Sequence, residues 1–96
     1  MRYVVRLDDE EAAVSYAQLP PPLREHVSGE LRRLAESPST VSRRAHFPHP
    51  QEGQLFDVEP VVLLGVKHWV TIMFMYSRDE RTLLIKWIVH RSGRVL

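Results

Sequence analysis

The sequence contains no cysteine, which excludes a disulfide scaffold, a thiolate metal site and a cysteine nucleophile. It also lacks any apolar run long enough to cross a membrane, and no charged-then-apolar leader opens the chain. We therefore expect a cytoplasmic protein that makes no use of a membrane.

The sequence also has almost no excess of either charge, because the formal net charge is only +1 at pH 7. Its distribution is uneven, since residues 8–11 are all acidic while the arginines and lysines gather at residues 24–44 and again at residues 67–94. The acidic cluster lowers the total charge of a chain that is basic over the rest of its length. The 96 residues suffice for one domain, residues 1–96, because a chain of this size buries roughly two-thirds of its unfolded surface.

The stretch of residues 68–91 predicts a β-hairpin. Two runs rich in β-branched, aromatic and long apolar residues flank a short charged turn at residues 77–81. A helix fits the pattern less well, since a polar break follows each run.

A turn centred between Asp79 and Glu80 sets the register of this hairpin. The predicted pairs are Tyr76–Leu83, Ile72–Trp87, Val70–Val89 and Trp69–His90. One face is then wholly apolar or aromatic, with Val70, Ile72, Phe74, Tyr76, Leu83, Ile85, Trp87 and Val89. The other face is mixed, with Trp69, Thr71, Met73, Met75, Leu84, Lys86, Ile88 and His90. Burial selects this register, with helices on the first face and a ligand or partner on the second.

The first half of the chain predicts one strand and two helices. Residues 2–7 alternate, which is typical of a strand with one buried face. A first helix ends near residue 19, at prolines that can also start the next helix. The second helix ends at Ser37, and Gly29 in its middle indicates close packing against the first helix.

The rest of the chain predicts a loop and further strands. Residues 38–53 form the loop, residues 55–58 and 61–66 are strands, and the tail after Arg91 is loose. The architecture is therefore α+β, with an N-terminal strand, an αα-hairpin and a three- to four-stranded antiparallel sheet. The helical pair covers one face of the sheet, and the first strand inserts beside a later one.

Three short motifs carry a resemblance to a known family. Residues 31–38 read Leu-Arg-Arg-Leu-Ala-Glu-Ser-Pro, similar to a helix end of the pattern Leu-x-x-Leu-x-x-x-Pro. Tyr76 precedes a charged turn, and the last strand closes on His90 and Arg91. Together with the order of elements, these motifs resemble the RelE/ParE toxin superfamily of bacterial type II toxin–antitoxin systems.

The resemblance implies a RelE/ParE-like fold and a cytoplasmic toxin with a cognate antitoxin as its partner. It implies one of two targets, mRNA cleaved on the ribosome or DNA gyrase. No cofactor and no metal are expected, because no histidine pair has helical or knuckle spacing. A homodimer is a further expectation.

RNA cleavage without a metal needs a base, an acid and cations that offset the charge of the phosphorane. His90 is the first catalytic candidate, since the predicted register places it on the same side of the strand as Lys86, four residues away, and opposite Trp69, which could stack a base. Some ribonucleases of the family use a histidine near the end of this strand. The alternative is a solvated histidine at a strand end.

The other catalytic candidates are His68 and Lys86. His68 would meet Arg91 across the strand ends, or would be an ordinary polar residue at a sheet edge. Lys86 would contact phosphate, or would be an edge lysine that blocks aggregation. The predicted substrate-binding residues are Arg91, Lys67, Trp69, Arg43, Arg44 and His46. In the loop, His46 and His49 could bring base and cation over the groove, or could be solvated loop polarity.

Two rival functions stay open. A gyrase-binding toxin needs no acid–base pair, and a binding module of the same fold needs no active site. The strand leading to Tyr76 contains no arginine, whereas the family commonly has one there. The apolar members of the mixed face favour burial under a loop, a second copy or an antitoxin segment. They are Met73, Met75, Leu84 and Ile88.

Overall fold

The computed structural model describes residues 2–45 and 53–95. Its elements, in chain order, are β1 (Val4–Leu7), α1 (Glu10–Ala17), α2 (Pro21–Glu36), α3 (Pro38–Val41), β2 (Arg43–Ala45), β3 (Gly53–Asp57), β4 (Val61–Leu63), β5 (Val66–Tyr76) and β6 (Thr82–Arg94). His46 and His49 lie outside the described residues. No helix within those residues is both long and apolar enough to cross a membrane.

The described strands form one mixed sheet in the order β1-β6-β5-β3-β2, and β4 also pairs with β5. The prediction of an α+β fold is confirmed, as is the insertion of β1 beside a later strand. That strand is β6, and the two run parallel. Five strands follow the helices where three or four were expected, because residues 38–45 contain a short helix and a strand rather than loop alone.

Helices α1 and α2 cover one face of the sheet, as predicted. The core combines Ala12, Leu19, Leu23, Val27 and Leu34 with Phe56, Val58, Val70, Ile72, Phe74, Leu83, Ile85 and Ile88. Val5 and Leu7 of β1 pack against this core, as does Tyr3 just before the strand. Burying each large apolar side chain is worth about 1.5–3 kcal/mol, so this layer of contacts holds the helices on the sheet.

The ends of the helices follow from their sequence. Pro21 and Pro22 occupy the first turn of α2, where backbone N–H groups have no partner within the helix, so the N–H that proline lacks costs no hydrogen bond. Glu10 and Glu11 lie in the first turn of α1, at the positive end of its dipole. Gly29 is exposed in α2, and a Cβ added there would meet no atom within 4 Å. The predicted close packing of α1 against Gly29 is therefore wrong.

A tight turn divides the predicted strand of residues 61–66. Leu64 and Gly65 both have positive φ, 51° and 77°, which is the geometry of a two-residue type I′ hairpin. The hairpin joins β4 to β5, and Leu63 pairs with Val66. The tail is not loose, since β6 continues to Arg94 and pairs there with Val66.

The main hairpin contains a β-bulge on β6. Near the turn the pairing is the predicted one, with Tyr76 opposite Leu83 and Phe74 opposite Ile85. The next residue of β5, Met73, lies opposite Trp87, so Lys86 is an extra residue with no partner on β5. A bulge of this kind resets the alternation of the strand that carries it.

Beyond the bulge the predicted register is wrong by one residue. The observed pairs are Ile72–Ile88, Thr71–Val89, Val70–His90 and Trp69–Arg91. Ile88 enters the core at 8% exposure, whereas Trp87 and Val89 are 46% and 53% exposed. Before Lys86, each side chain of β6 therefore lies on the face that was predicted for it. After Lys86, each lies on the opposite face.

Candidate functional site

His68 and His90 contact each other where β5 and β6 extend past the core. Because of the bulge, His90 lies on the helix-side face of the sheet, opposite Val70. The Nδ1 atom of His68 is 2.8 Å from the Nε2 atom of His90. The ring centroids are 5.1 Å apart and the planes meet at 23°. The nitrogens thus lie nearly on the line between the centroids, which is the geometry of a straight N–H···N hydrogen bond.

This dyad presents an acid and a base together. A neutral imidazole has one N–H and one lone pair, so one ring donates to the other. Of the two outward nitrogens, Nε2 of His68 and Nδ1 of His90, one then carries a proton and the other a lone pair in either tautomer. Burial lowers the pKa of His90 below 6.5, and the electrostatic effect of His68 lowers it further, which favours the neutral form of His90 near pH 7.

A groove of about 240 Å³ lies at the same end of the sheet and is lined by Trp69, Arg91 and Ser92. Trp69 is 37% exposed, and the Nζ atom of Lys67 is 5.3 Å from its ring centroid. The ring also covers Gly93, where an added Cβ would come within 3.6 Å of it. The bulge places Trp69 opposite Arg91 rather than His90. The side chains of Trp69 and Arg91 therefore lie on one face of the sheet, and those of the dyad lie on the other.

Lys86 binds to carboxylates at the start of α1. Its Nζ atom is 2.6 Å from Asp8 Oδ2 and 3.6 Å from Asp9 Oδ2, and its side chain is 23% exposed. The hydrogen bond to Asp8 raises the pKa of Lys86, and the same bond lowers the pKa of Asp8. This contact ties the bulge to the first helix. The catalytic role predicted for Lys86 stays a prediction, and no part of the dyad depends on it.

The predicted site residue Arg43 is bound to Asp57, apart from the dyad. Arg43 forms two hydrogen bonds to Asp57, at 3.1 and 3.4 Å, and Thr71 Oγ1 donates to the same carboxylate at 2.9 Å. His68 lies opposite Ser92, so its predicted meeting with Arg91 is wrong. The structure gives no account of the Arg44 side chain, and His46 is outside the described residues.

The sheet face opposite the helices exposes apolar surface. Val89 is exposed there, and Met73, Met75 and Leu84 are half-buried. Ile88, predicted for this face, is in the core instead. Among residues 2–45 and 53–95, no group of three or more histidine, aspartate or glutamate side chains could hold a metal ion.

These elements define a RelE-like α+β fold. The chain is similar in structure to a chain of the toxin–antitoxin complex RelBE2 from Mycobacterium tuberculosis, with a TM-score of 0.63 and 18% sequence identity. The alignment covers 95% of this chain and 100% of that one. No protein-family model and no curated protein sequence matches the chain. The structural likeness at this identity establishes the fold.

Proposed function

We propose that this chain is the toxin of a type II toxin–antitoxin pair and that it cleaves mRNA on the ribosome, in the cytoplasm. The observation that supports this most is the combination of a RelE-like fold with an accessible histidine dyad. The dyad supplies both proton-transfer groups that phosphodiester cleavage without a metal requires.

In the proposed reaction the dyad nitrogen with the lone pair removes the proton of a ribose 2′-hydroxyl. The 2′-oxygen attacks the adjacent phosphorus, and the bond from phosphorus to the 5′-oxygen breaks. The outward N–H of the other histidine gives its proton to that 5′-oxygen. The products are a 2′,3′-cyclic phosphate and a 5′-hydroxyl end. A proton shift across the N–H···N bond then gives the neutral dyad in its other tautomer, in which the two histidines have exchanged the roles of acid and base.

Two cations at the same end of the sheet as the dyad support phosphate binding in this proposal. Arg91 follows His90 directly and Lys67 precedes His68, so both charges lie on the segments that carry the dyad but on the opposite face of the sheet. Parallel pairing with β1 covers the outer edge of β6 only as far as Ile85. Within the described residues, no strand pairs with that edge over residues 89–94. A single RNA strand can therefore pass around this edge, with a base on Trp69 and its phosphate near His90.

The proposed antitoxin would cover the apolar face opposite the helices. Exposed apolar surface on a sheet is typical of a protein interface, and Val89 with Met73 and Met75 provides it here. Coexpression with a small neighbouring reading frame, followed by size exclusion, should give a stable complex. The Val89→Asp substitution should weaken that complex. A complex that tolerates this change would place the antitoxin elsewhere, and a homodimer of the chain alone would assign the face to self-association.

Induced expression with primer-extension mapping of mRNA ends tests the ribonuclease. We expect growth arrest and new mRNA ends with the native chain, and a loss of cleavage of about 10²–10⁴-fold in His90→Ala and His68→Ala. His26→Ala is the matched control, because His26 lies on α2 and donates a hydrogen bond to the Glu59 carbonyl. Normal growth with unchanged mRNA ends, at confirmed expression of folded protein, would contradict the proposal.

A gyrase-binding toxin is the second candidate function, with a non-catalytic binding protein beyond it. The interior of β5, from Trp69 to Tyr76, has no arginine, and the apolar open face suits a protein target. Inhibition of supercoiling by the purified chain with mRNA left intact would favour gyrase. Toxicity that survives His90→Ala would favour either rival over the ribonuclease.

A further inference from the structure

We propose that His68 and His90 together bind a divalent late transition-metal ion, Cu²⁺ or Ni²⁺, through Nδ1 of His68 and Nε2 of His90. The site goes beyond the proposed function, which uses no metal. It rests on the contact between the two side chains and would stand if the chain were not a ribonuclease.

The two nitrogens lie close enough for one ion to bridge them. At a metal–nitrogen distance of about 2.0 Å, two ligands lie about 2.8 Å apart at right angles and about 3.3 Å apart in a tetrahedron. The hydrogen-bonded separation is 2.8 Å, so modest turns of the rings reach either arrangement. Imidazole ligands suit Cu²⁺ and Ni²⁺, and affinity for divalent first-row ions generally reaches its maximum at Cu²⁺.

The sheet holds the two ligands in place. His90 is opposite Val70 and His68 is opposite Ser92, so the histidines are diagonal neighbours on one face of paired strands. The ladder between β5 and β6 fixes both backbones, and only the rings must turn for their lone pairs to converge on the ion. The proton now shared between the rings moves to an outward nitrogen. Since the described residues offer no third histidine or carboxylate at the pair, water would complete the coordination.

Calorimetric titration of the purified chain with Ni²⁺, in a non-chelating buffer near pH 7.5, measures the site directly. We expect one ion per chain, with at least tenfold weaker binding in His68→Ala and in His90→Ala, because each loses the chelate. His26→Ala should bind within twofold of the native chain. A double variant, His46→Ala with His49→Ala, should also bind within twofold, which separates the dyad from the remaining histidines.

Equal weakening in His26→Ala, or binding that follows His46 and His49, would overturn the proposal. So would the absence of saturable Ni²⁺ and Cu²⁺ binding in a folded sample. A melting temperature that rises with Ni²⁺ in the native chain but not in His90→Ala would support it, since an ion held only by the folded state stabilises that state. None of these readouts involves RNA or growth, so they are independent of the ribonuclease test.

Discussion

The β-bulge at Lys86 predicts opposite effects for two adjacent substitutions. Ile88→Ala removes a side chain that packs in the core at 8% exposure. Truncation of a buried isoleucine to alanine costs about 2–5 kcal/mol, and a position at the end of the core belongs near the lower limit, about 2–3 kcal/mol. Val89→Ala removes methyl groups from a side chain that is 53% exposed, which should cost less than about 1 kcal/mol.

Urea denaturation followed by circular dichroism measures both effects. Ile88→Ala should lower the midpoint by roughly 1–2 M at an unchanged slope, whereas Val89→Ala should lower it by less than about 0.7 M. In thermal unfolding, Ile88→Ala should reduce the melting temperature by about 8–24 °C, given 4–8 °C per kcal/mol for a domain of this size. Both variants should remain folded at 25 °C, since total stabilities of about 5–15 kcal/mol are usual.

The comparison distinguishes the two registers of the hairpin. In an uninterrupted ladder Val89 would lie inside and Ile88 outside, so Val89→Ala would be the costlier change. Phe74→Ala is the control, because Phe74 is fully buried in both registers and should be strongly destabilising in either case. A larger loss in Val89→Ala than in Ile88→Ala would refute the bulge, and with it the placement of His90 on the helix side.

Three further predictions test other parts of the fold. Gly29→Ala should stabilise the protein by about 0.5–1 kcal/mol, since the added methyl meets no atom within 4 Å and glycine is unfavourable in a helix. Gly65→Ala should destabilise the protein, because φ there is 77°. Thermal melts of the two variants would show both effects. The NMR titration of His90 should have its midpoint below 6.5, because its pKa is lowered by burial and by His68. Its contribution to stability is therefore complete above pH 6.5 and is lost as the pH falls through the lowered pKa, and a midpoint above 6.5 would contradict the dyad. Asp8, whose pKa is lowered by Lys86 and Arg6, contributes stability above pH 3.8 that is lost as the pH falls through its folded pKa; Asp8→Asn should flatten this part of the stability–pH curve, and an unchanged curve would count against the ion pair.

Local patterns were sufficient to predict most of the fold. Alternation in β1, helical spacing in α2 and the charged turn before Thr82 each depend on neighbouring residues, and the structure follows them. The bulge could not be predicted in this way. Trp87, Ile88 and Val89 are all apolar, so either register buries an apolar face, and the hydrophobic pattern does not choose between them.

The candidate site depends on that choice. His68 and His90 are 22 residues apart in sequence and meet only because the extra residue Lys86 moves His90 to the helix-side face. One signal for the bulge was present in the sequence. Lys86 is a lone charge between Ile85 and Trp87, and its acidic partners follow the strand that pairs in parallel with this segment. A strand-interior lysine and a distant pair of aspartates indicate an ion pair only once that pairing is known.

The bulge also limits which ligand can use the whole site. Trp69 and Arg91 face away from the helices, whereas His68 and His90 face toward them, at an edge of β6 that no described strand covers. A ligand that contacts both sets must therefore bend around a single strand edge. A duplex is too wide and stiff for this path, because its bases are stacked inside and its persistence length is about 150 base pairs. A single strand turns between successive nucleotides and can place one base on an aromatic ring while its phosphate crosses the edge. If the ribonuclease proposal holds, unpaired RNA should be cleaved and the same sequence within a duplex should resist, and equal cleavage of both would require a site on one face only.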